Sequence, residues 1–528
     1  MQIGADMLKA RIALSDLSLD ARWRDGVIVC GKSRIVPYAH PMLETLLVRT
    51  EHQWFVTVRE RLASSTTDQA IADRDVDAEE FNRLYQECVL WPLDYLLIEV
   101  AKAGCRMRVR AGVLGSVPVY CHAIDDQVTI SWDFADFVTV PLAIDPEIAS
   151  HRLALNTVYS ARQLCVGVNL LTERASFHVE PGRASYRYPT AAADTAPSPL
   201  QAGRDALTAF GELLHHVVSA RPTTAERLSI ELSGGMDSAT VASAMAIRHE
   251  RMASLGILLD GGVRQAQIQR RQLLARQLNL SDETVDIAAF PPSLDMQRRP
   301  DQAKGLHWEY YLEACAALWD AARNQGRDVL FTGVGGDELF PAYVDETQQH
   351  DGKPNHVSES RRYAEQLLTP RAVSAARTLR SFDAPASPVP VTSLLTHACR
   401  GPDQLRHGQW PVNPLSDPGL VAFCHRLPRD SRQGREVMRQ YLQTRLGSEV
   451  FPRGYVKETF SQVLPKLISQ QVETVAAQLR ECALADLGLV DQREALKLLH
   501  TVAATRAEAP MSALASFLWL ERCVRQVS

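Results

Sequence analysis

The chain has 528 residues, a formal net charge of −5, and 46% hydrophobic and 23% charged residues. This is the composition of a soluble globular protein, long enough for two domains with separate cores. The acidic balance argues against a nucleic-acid-binding protein, because such proteins usually carry a basic excess. The N-terminal residues lack the apolar core of a signal peptide, and no apolar run reaches the roughly 20 residues needed to span a bilayer. We therefore expect a cytoplasmic protein without membrane contact. The ten cysteines include no CxxC pair, so we expect small buried side chains in a reducing compartment.

The first 190 residues contain several short runs of branched and aromatic residues separated by turns. Such spacing is typical of a β-rich domain, and one helical pattern, over residues 78–85, lies among the runs. Residues 190–199 are small, polar and proline-containing, as in a linker. We therefore predict a first domain over residues 1–195 and a second over residues 196–528. The clearest strand-like runs are residues 26–30, 54–58, 117–121 and 127–132.

Beyond the linker, apolar strand-like runs alternate with longer helical patterns. Alternation of this kind predicts βαβ units and a parallel sheet. From about residue 360 the patterns are mostly helical. The predicted strands are residues 228–232, 254–259 and 329–332, and the predicted helices are residues 238–249, 264–278 and 310–324.

The first of these strands ends in the segment Ser233-Gly-Gly-Met-Asp-Ser238. Glycines let the backbone approach a ligand closely, and the start of the following helix offers unpaired N–H groups to an anion. The hydroxyls of Ser233 and Ser238 add donors. Asp237 would repel a phosphate directly, but it could hold Mg²⁺ that bridges phosphate oxygens. The alternative is a plain strand-to-helix connection in which Asp237 only complements the helix dipole.

This SGGxDS segment, placed after an apolar strand, resembles the PP-loop of ATP pyrophosphatases. Those enzymes cleave ATP between the α- and β-phosphates. The resemblance implies that Ser233, Gly234, Gly235 and Ser238 bind pyrophosphate and that Asp237 is a Mg²⁺ ligand. The segment does not match the Walker A pattern, because no Gly-Lys-Ser/Thr follows it.

Residues 329–340, Val-Leu-Phe-Thr-Gly-Val-Gly-Gly-Asp-Glu-Leu-Phe, again place glycines and an acid after an apolar strand. Ligands of doubly wound sheets lie at the carboxyl ends of the strands, so the two segments could converge on one ligand. The second segment resembles the GxGGDELF segment of the asparagine synthetase superfamily. The resemblance implies that Asp337 is a second Mg²⁺ ligand and that Gly333 lies near the nucleotide. It also implies that Leu232 and Leu258 pack against adenine.

Two features bear on the step in which an amine attacks. Asparagine synthetases have glutamate, and β-lactam synthetases tyrosine, at the position of Val334, and valine cannot accept a proton. The identity of the group that receives the proton of the amine is therefore open.

The segment Lys457-Glu-Thr-Phe-Ser461 resembles the K-E-Q-F-S segment of asparagine synthetases. This resemblance implies that Lys457 stabilises negative charge on the phosphates and the tetrahedral intermediate, whereas the alternative is a solvated surface lysine.

The N-terminal region resembles the glutaminase domain of asparagine synthetases over Arg110–Tyr120 and Trp132–Asp136. That domain uses a cysteine at position 2 as nucleophile, and this chain has Gln2 there. The resemblance therefore implies an N-terminal α+β, Ntn-type glutaminase-like domain without its nucleophile. It would be joined to an α/β PP-loop domain of the adenine nucleotide α-hydrolase-like class, with a parallel sheet.

Two branches of the superfamily share the loss of this nucleophile and use an amine already on the substrate. These are the β-lactam synthetases and the lasso peptide macrolactam synthetases, and residues 457–468 and 484–490 resemble the C-terminal part of the second branch. That resemblance implies a lasso cyclase that uses ATP and Mg²⁺ to join an Asp or Glu side chain of a precursor peptide to the N-terminal amine of the peptide. A leader peptidase would be its partner. The alternatives are a small-molecule amide synthetase, either β-lactam-forming or ammonia-dependent, and a non-catalytic descendant that only binds its ligand.

Overall fold

The computed structural model describes residues 7–64, 70–138, 142–190, 205–297, 306, 309–340, 356–452 and 459–527. Two β-sheets form most of the N-terminal part, a third forms the central part, and helices dominate the C-terminal part. None of the helices in the described ranges is long and apolar enough to cross a membrane.

Seven strands form the first sheet: β1 (Lys9–Ala13), β2 (Arg22–Arg24), β3 (Val27–Cys30), β4 (Ser33–Val36), β10 (Tyr120–Ile124), β11 (Gln127–Ser131) and β12 (Asn169–Leu170). Their order is β12-β10-β11-β1-β4-β3-β2, and neighbouring strands are antiparallel. Burial alternates along β1, so that Ala10 and Ile12 face the interior. This alternation is typical of a sheet with one face in a core.

The second sheet also has seven strands: β5 (Leu43–Arg49), β6 (Gln53–Glu60), β7 (Ile71–Asp75), β8 (Tyr95–Ala101), β9 (Arg106–Ala111), β13 (Ser176–Glu180) and β14 (Arg183–Arg187). Their order is β14-β13-β9-β8-β6-β5-β7, and only the β5–β7 pair is parallel. Helix α1 (Ala78–Val89) packs Phe81 and Leu84 against Phe55 and Leu97 of this sheet. The side chain of Asp77 begins this helix by accepting a hydrogen bond from the backbone N–H of Glu80.

The two sheets face each other across one core. Ile12 and Ile130 of the first sheet share a buried cluster with Val56 and Ile98 of the second. Face-to-face packing of this kind fills the space between two antiparallel sheets with alternating side chains. The predicted β-rich N-terminal region is therefore confirmed, although the strand predicted over residues 117–121 begins only at Tyr120.

The third sheet is wholly parallel, as the alternation in the sequence predicts. Its strands are β15 (Leu228–Glu231), β16 (Ala253–Leu258), β17 (Ser281–Asp286), β18 (Val329–Phe331) and β19 (Trp410–Val412). They run in the order β17-β16-β15-β18-β19. Leu330 packs with helix residues Leu318 and Trp319 on one face, whereas Phe331 belongs to the buried cluster on the other. Helices therefore cover both faces, as in doubly wound sheets.

Helices connect these strands and continue to the C-terminal end of the described chain. Those of the sheet region are α3 (Ala206–Ser219), α4 (Met236–Met245), α5 (Arg264–Gln277), α6 (Leu312–Asn324) and α7 (Gly336–Leu339). Next come α8 (His356–Leu367), α9 (Pro370–Ala376), α10 (Val391–Arg406), α11 (Pro418–Arg426), α12 (Arg429–Arg432) and α13 (Glu436–Leu446). The last four are α14 (Val463–Gln478), α15 (Ala483–Asp486), α16 (Gln492–Thr505) and α17 (Glu508–Val527).

Five short 3₁₀ helices complete the secondary structure of the described residues. They are Leu14–Ser18, Phe134–Phe137, Ile287–Ala289, Pro414–Ser416 and Gln433–Arg435. The predicted helical character of the C-terminal part is confirmed.

One helix from the N-terminal part packs with the C-terminal helices. Helix α2 (Pro146–Leu153) shares a buried cluster with α17 through Leu153 and Phe517. The backbone N–H of Leu142 donates to the carbonyl of Val527 at 3.0 Å. This segment, which lies before the predicted boundary at residue 195, therefore packs in a core built mainly by the C-terminal helices.

A buried carboxylate joins the second sheet to the parallel sheet. Glu60, the last residue of β6, accepts two hydrogen bonds of 2.7 Å from Arg221 and one of 2.6 Å from the indole N–H of Trp410 on β19. Its side chain is 0% exposed. A charge removed from water in this way must be fully paired, so the three residues fix how the two regions meet.

Cysteines have a structural role in this fold. All ten are free thiols, and all except Cys105 are buried. Burial raises the pKa of the Cys88 thiol to about 12 and that of Cys30 to about 11. These thiols are therefore protonated at neutral pH, as expected for small buried side chains.

Candidate active site

The first glycine loop lies between β15 and α4. Gly234 has a φ of +97°, a conformation that residues with a side chain rarely adopt. The Ser233 hydroxyl accepts from the backbone N–H of Gly235 at 3.1 Å, and the N–H of Ser233 donates to the Ser238 hydroxyl at 3.2 Å. No side chain caps α4, which begins after Gly235. Its first N–H groups can therefore serve an anion, together with the two hydroxyls.

The second glycine loop follows β18 and packs directly against the first. A Cβ atom on Gly333 would lie 2.7 Å from the backbone nitrogen of Ser238. One on Gly336 would lie 2.4 Å from Cγ of Asp237. These distances are below any real carbon contact, so glycine at these two positions allows the loops to approach.

This close packing of the two loops brings Asp237 and Asp337 to one positively charged side chain, that of Arg435. Arg435 donates from one terminal nitrogen to Oδ1 of Asp237 at 2.7 Å and from the other to Oδ1 of Asp337. Burial alone would lower the pKa of Arg435, but the two carboxylates outweigh it and raise that pKa. Arg435 has a φ of +60°, which is unusual for a residue with a side chain.

The donor set fits a divalent cation of the hard class. Two carboxylates from separate loops already face one positive group, and carboxylate oxygen is the ligand type that Mg²⁺ prefers. A cation bound there would lie beside the first glycine loop, since Gly336 packs against the side chain of Asp237.

Both loops open onto a cavity of about 360 Å³ at the carboxyl ends of the strands. One side of this cleft is apolar, with Ile257 and Leu259 of the β16 region and the rings of Tyr311 and Phe460, whose centroids lie 5.0 Å apart. The loops provide the polar side. A pocket with an apolar wall and a few convergent polar groups is typical of sites for small molecules such as nucleotides.

The structure brings most of the predicted site residues together. Ser233, Asp237, Ser238, Gly333 and Asp337 line the cleft. Gly234 and Gly235 form the loop beside them. Val334 also lines the cleft. An apolar side chain therefore lies at the position where asparagine synthetases have glutamate and β-lactam synthetases have tyrosine.

Leu232 and Leu258 differ from the expectation. The side chain of Leu232 is 0% exposed and packs in the core, and Leu258 is 9% exposed. The neighbouring residues Ile257 and Leu259 line the cleft instead. Successive side chains of a strand point to opposite faces, so a shift of one residue changes which side chain meets the ligand. Lys457 lies outside the described residues.

Two cleft residues have no counterpart among the motifs of the sequence. Glu231 and Arg400 line the cleft, and Arg400 donates to Glu231 at 2.5 Å. The sequence carries one signal that could have revealed Glu231, namely a charged residue at the end of a largely apolar strand. Arg400 lies within helix α10, far from either motif in sequence, and carried no such signal.

Residues 209–410 match the family model of asparagine synthase. The matched range contains both glycine loops, Glu231 and Arg400, and it supports the asparagine synthetase superfamily for this part of the chain. Members of that family are ATP-dependent ligases that form amide bonds. No curated protein matches the chain.

Two solved structures share a distant similarity with the chain. The glutamine phosphoribosylpyrophosphate amidotransferase from B. subtilis, complexed with ADP and GMP, is 13% identical, with 59% of this chain and 78% of that chain covered and a TM-score of 0.19. A structure of the allosteric regulatory enzyme of purine biosynthesis is also 13% identical, with coverages of 62% and 83% and a TM-score of 0.22. Scores this low do not establish a shared fold.

Proposed function

We propose that the protein is an ATP-dependent amide synthetase that activates a carboxylate as an acyl-adenylate. The observation that carries the proposal is the direct packing of two glycine loops that brings Asp237 and Asp337 to one cation. A plain strand-to-helix connection would require neither the second loop nor paired acids. The asparagine synthase match over residues 209–410 supports the same chemistry.

The residues divide the work between binding and activation. Ser233, Ser238 and the N–H groups at the start of α4 would bind the pyrophosphate portion of ATP. Asp237 and Asp337 would hold Mg²⁺, which neutralises phosphate charge when it is bound. The substrate carboxylate attacks the α-phosphorus, and pyrophosphate leaves. An amine then attacks the acyl carbon and AMP leaves, with Lys457 proposed from its sequence motif to stabilise the developing charge.

We further propose that the carboxylate and the amine belong to one peptide. The prediction of a glutaminase-like domain without its nucleophilic cysteine, which rests on Gln2, favours an amine that is already on the substrate. The C-terminal segments that resemble lasso peptide macrolactam synthetases favour an Asp or Glu side chain and the N-terminal amine of a precursor peptide. A leader peptidase would expose that amine, and holding both ends in one cleft would promote ring closure.

A small-molecule amide synthetase is the second candidate. The cavity of about 360 Å³ is of a size that small ligands fill, which favours this candidate. An ammonia-dependent reaction would then need only one carboxylate substrate and free ammonia. Dependence of product formation on added ammonia would separate this candidate from the peptide reaction.

The test uses the full chain with ATP, Mg²⁺ and synthetic peptides that carry a free α-amine and one internal Asp or Glu. Mass spectrometry should show a loss of about 18 Da, one water, with matching AMP and pyrophosphate. Asp237→Asn should abolish adenylation, whereas Asp320→Asn, at an exposed position on α6, should not. Turnover that survives Asp237→Asn would overturn the assignment of the metal site.

A further inference from the structure

The cleft contains a third carboxylate, which the proposed roles leave unused. Glu231 is the last residue of β15 and lies two positions before Ser233. Both line the cleft. Of the carboxylates that line it, Asp237 and Asp337 share Arg435, whereas Glu231 pairs with Arg400.

Two donors hold one oxygen of Glu231. Its Oε1 accepts from the indole N–H of Trp319 at 2.9 Å and from a terminal nitrogen of Arg400 at 2.5 Å. Its Oε2 accepts from no other described residue, and the side chain is 20% exposed. Since the residue lines the cleft, we infer that this second oxygen is left for a ligand that binds there.

The surroundings of Arg400 fix its position and keep it charged. Its side chain is 8% exposed and lies over the rings of Trp319 and Tyr311, at 5.7 Å and 6.0 Å from their centroids. Burial opposes its charge, but Glu231 outweighs that effect and keeps the pKa of Arg400 well above its usual range. A buried, charge-assisted hydrogen bond of this kind fixes the orientation of the Glu231 carboxylate.

We propose that Glu231 is the catalytic group that binds the attacking amine and accepts its proton, an inference that rests on the proposed amide synthetase function. Val334 cannot take a proton, and the carboxylates of Asp237 and Asp337 are assigned to Mg²⁺. In the step, the amine nitrogen forms a C–N bond to the acyl carbon. The C–O bond to the α-phosphate breaks with its electron pair remaining on AMP, and the proton of the amine passes to Oε2 of Glu231.

A purely structural ion pair is the alternative role for these residues. It accounts for the contacts of Oε1, which join β15 to α6 and α10. It does not account for the place of Glu231 in the lining of the cleft, with Oε2 unused by the other described residues. The two roles differ in the step that a substitution affects, because a structural role would disturb adenylation and amide formation together.

The test compares Glu231→Gln and Glu231→Asp with the wild type, using ATP, Mg²⁺ and the synthetic peptides with one internal Asp or Glu. Glu283→Gln, on edge strand β17, is the matched control. ATP–pyrophosphate exchange measures adenylation, and mass spectrometry measures amide formation. Glu231→Gln should keep exchange close to wild type and slow amide formation by about 100-fold or more. Glu231→Asp should recover part of that loss.

Hydroxylamine supplies a second readout, because it is uncharged near neutral pH and captures acyl-adenylates. Glu231→Gln should form as much peptide hydroxamate as the wild type. Equal losses of exchange, hydroxamate and amide in Glu231→Gln would overturn the inference and indicate a structural role. Unchanged amide formation in that variant would also overturn it. A wild-type protein without exchange for any peptide would overturn the proposed function, and this inference with it.

Discussion

The guanidinium of Arg435 donates to Oδ1 of Asp237 at 2.7 Å, although the two residues lie 198 positions apart in the chain. The same guanidinium reaches Asp337, so one positive side chain bridges the two carboxylates that we propose as Mg²⁺ ligands. Mg²⁺ held by these carboxylates, as we propose, would compete with Arg435 for their oxygens.

Replacing Arg435 should therefore change metal affinity in the absence of nucleotide. We expect Arg435→Gln to bind Mn²⁺, a Mg²⁺ substitute, about 10-fold more tightly than the wild type, because a competing positive charge is gone. Electron paramagnetic resonance of free Mn²⁺ measures this directly. Arg439→Gln is the matched control, since Arg439 donates to the carbonyl of Phe451 rather than to the aspartates. Equal affinities of wild type and Arg435→Gln would contradict the competition.

The packing of the two loops predicts a strong effect of one added methyl group. Gly336→Ala would place Cβ 2.4 Å from Cγ of Asp237, so the loops must separate. Overpacking of this kind costs about 1–3 kcal/mol of folding free energy. We expect the larger effect on adenylation, with about a 100-fold loss, because small displacements of a site are costly for catalysis.

Gly262→Ala provides the control for that variant. A Cβ at Gly262 meets no atom within 4 Å, and the φ of this residue lies outside the left-handed region. ATP–pyrophosphate exchange and urea denaturation of both variants separate the two effects. Wild-type exchange in Gly336→Ala would show that the loops need not touch.

His397 should make stability depend on pH. Burial lowers its pKa to about 4, so it is neutral in the folded protein at pH 5, whereas the unfolded chain takes up a proton below about 6.5. The unfolded state then binds more protons, and stability falls as the pH drops from about 6.5 to about 4. Linkage gives a loss of about 2 kcal/mol at pH 5 for such a shift.

Urea denaturation at pH 7 and pH 5 measures this effect. His397→Gln should lose less stability than the wild type between the two values. His52→Gln should behave as the wild type, because the His52 side chain is 83% exposed. An equal loss of stability between pH 7 and pH 5 in His397→Gln and the wild type would contradict this prediction. It would mean that His397 takes up a proton in the folded protein as readily as in the unfolded chain.

The Glu60 contact should contribute strongly to stability. Glu60→Ala would leave the buried Arg221 guanidinium unpaired, and breaking a buried ion pair in this way costs about 3–5 kcal/mol. Glu51→Ala should change stability little, since that side chain is 88% exposed. Thermal and urea unfolding of both variants, monitored by circular dichroism, provide the comparison. A small cost for Glu60→Ala would mean that water reaches Arg221 readily.

Local patterns in the sequence predicted the parallel strands β15, β16 and β18 and the convergence of the two glycine loops. They missed β17 and β19 for different reasons. The sequence of β17, Ser-Asp-Glu-Thr-Val-Asp, is polar because it forms an edge of the sheet, and β19 has only three residues. A polar edge strand such as β17 shows no apolar pattern, and the three residues of β19 are too few to show a period, although all three are buried.

Contacts between segments that are distant in the sequence are the other reason why the sequence does not predict the whole site. The roles of Arg435 and Arg400 arise from partners far away in the chain, and no local pattern encodes such a pairing. Leu232 and Leu258, which the resemblance places against adenine, do not line the cleft, whereas Ile257 and Leu259 do, and a shift of one position in a strand reverses the face. Glu231 was visible as a charge in an apolar strand, but its significance required the neighbouring helices.

The packing of α2 against α17 has a consequence for synthesis on the ribosome. Helix α2 emerges early, whereas α17, which supplies Phe517 to their common cluster, is translated last among the described helices. Leu142 likewise receives its hydrogen-bond partner only when Val527 has been made. Residues 142–153 therefore lack this packing partner until α17 has been translated. Such a segment is a natural binding site for chaperones during that interval.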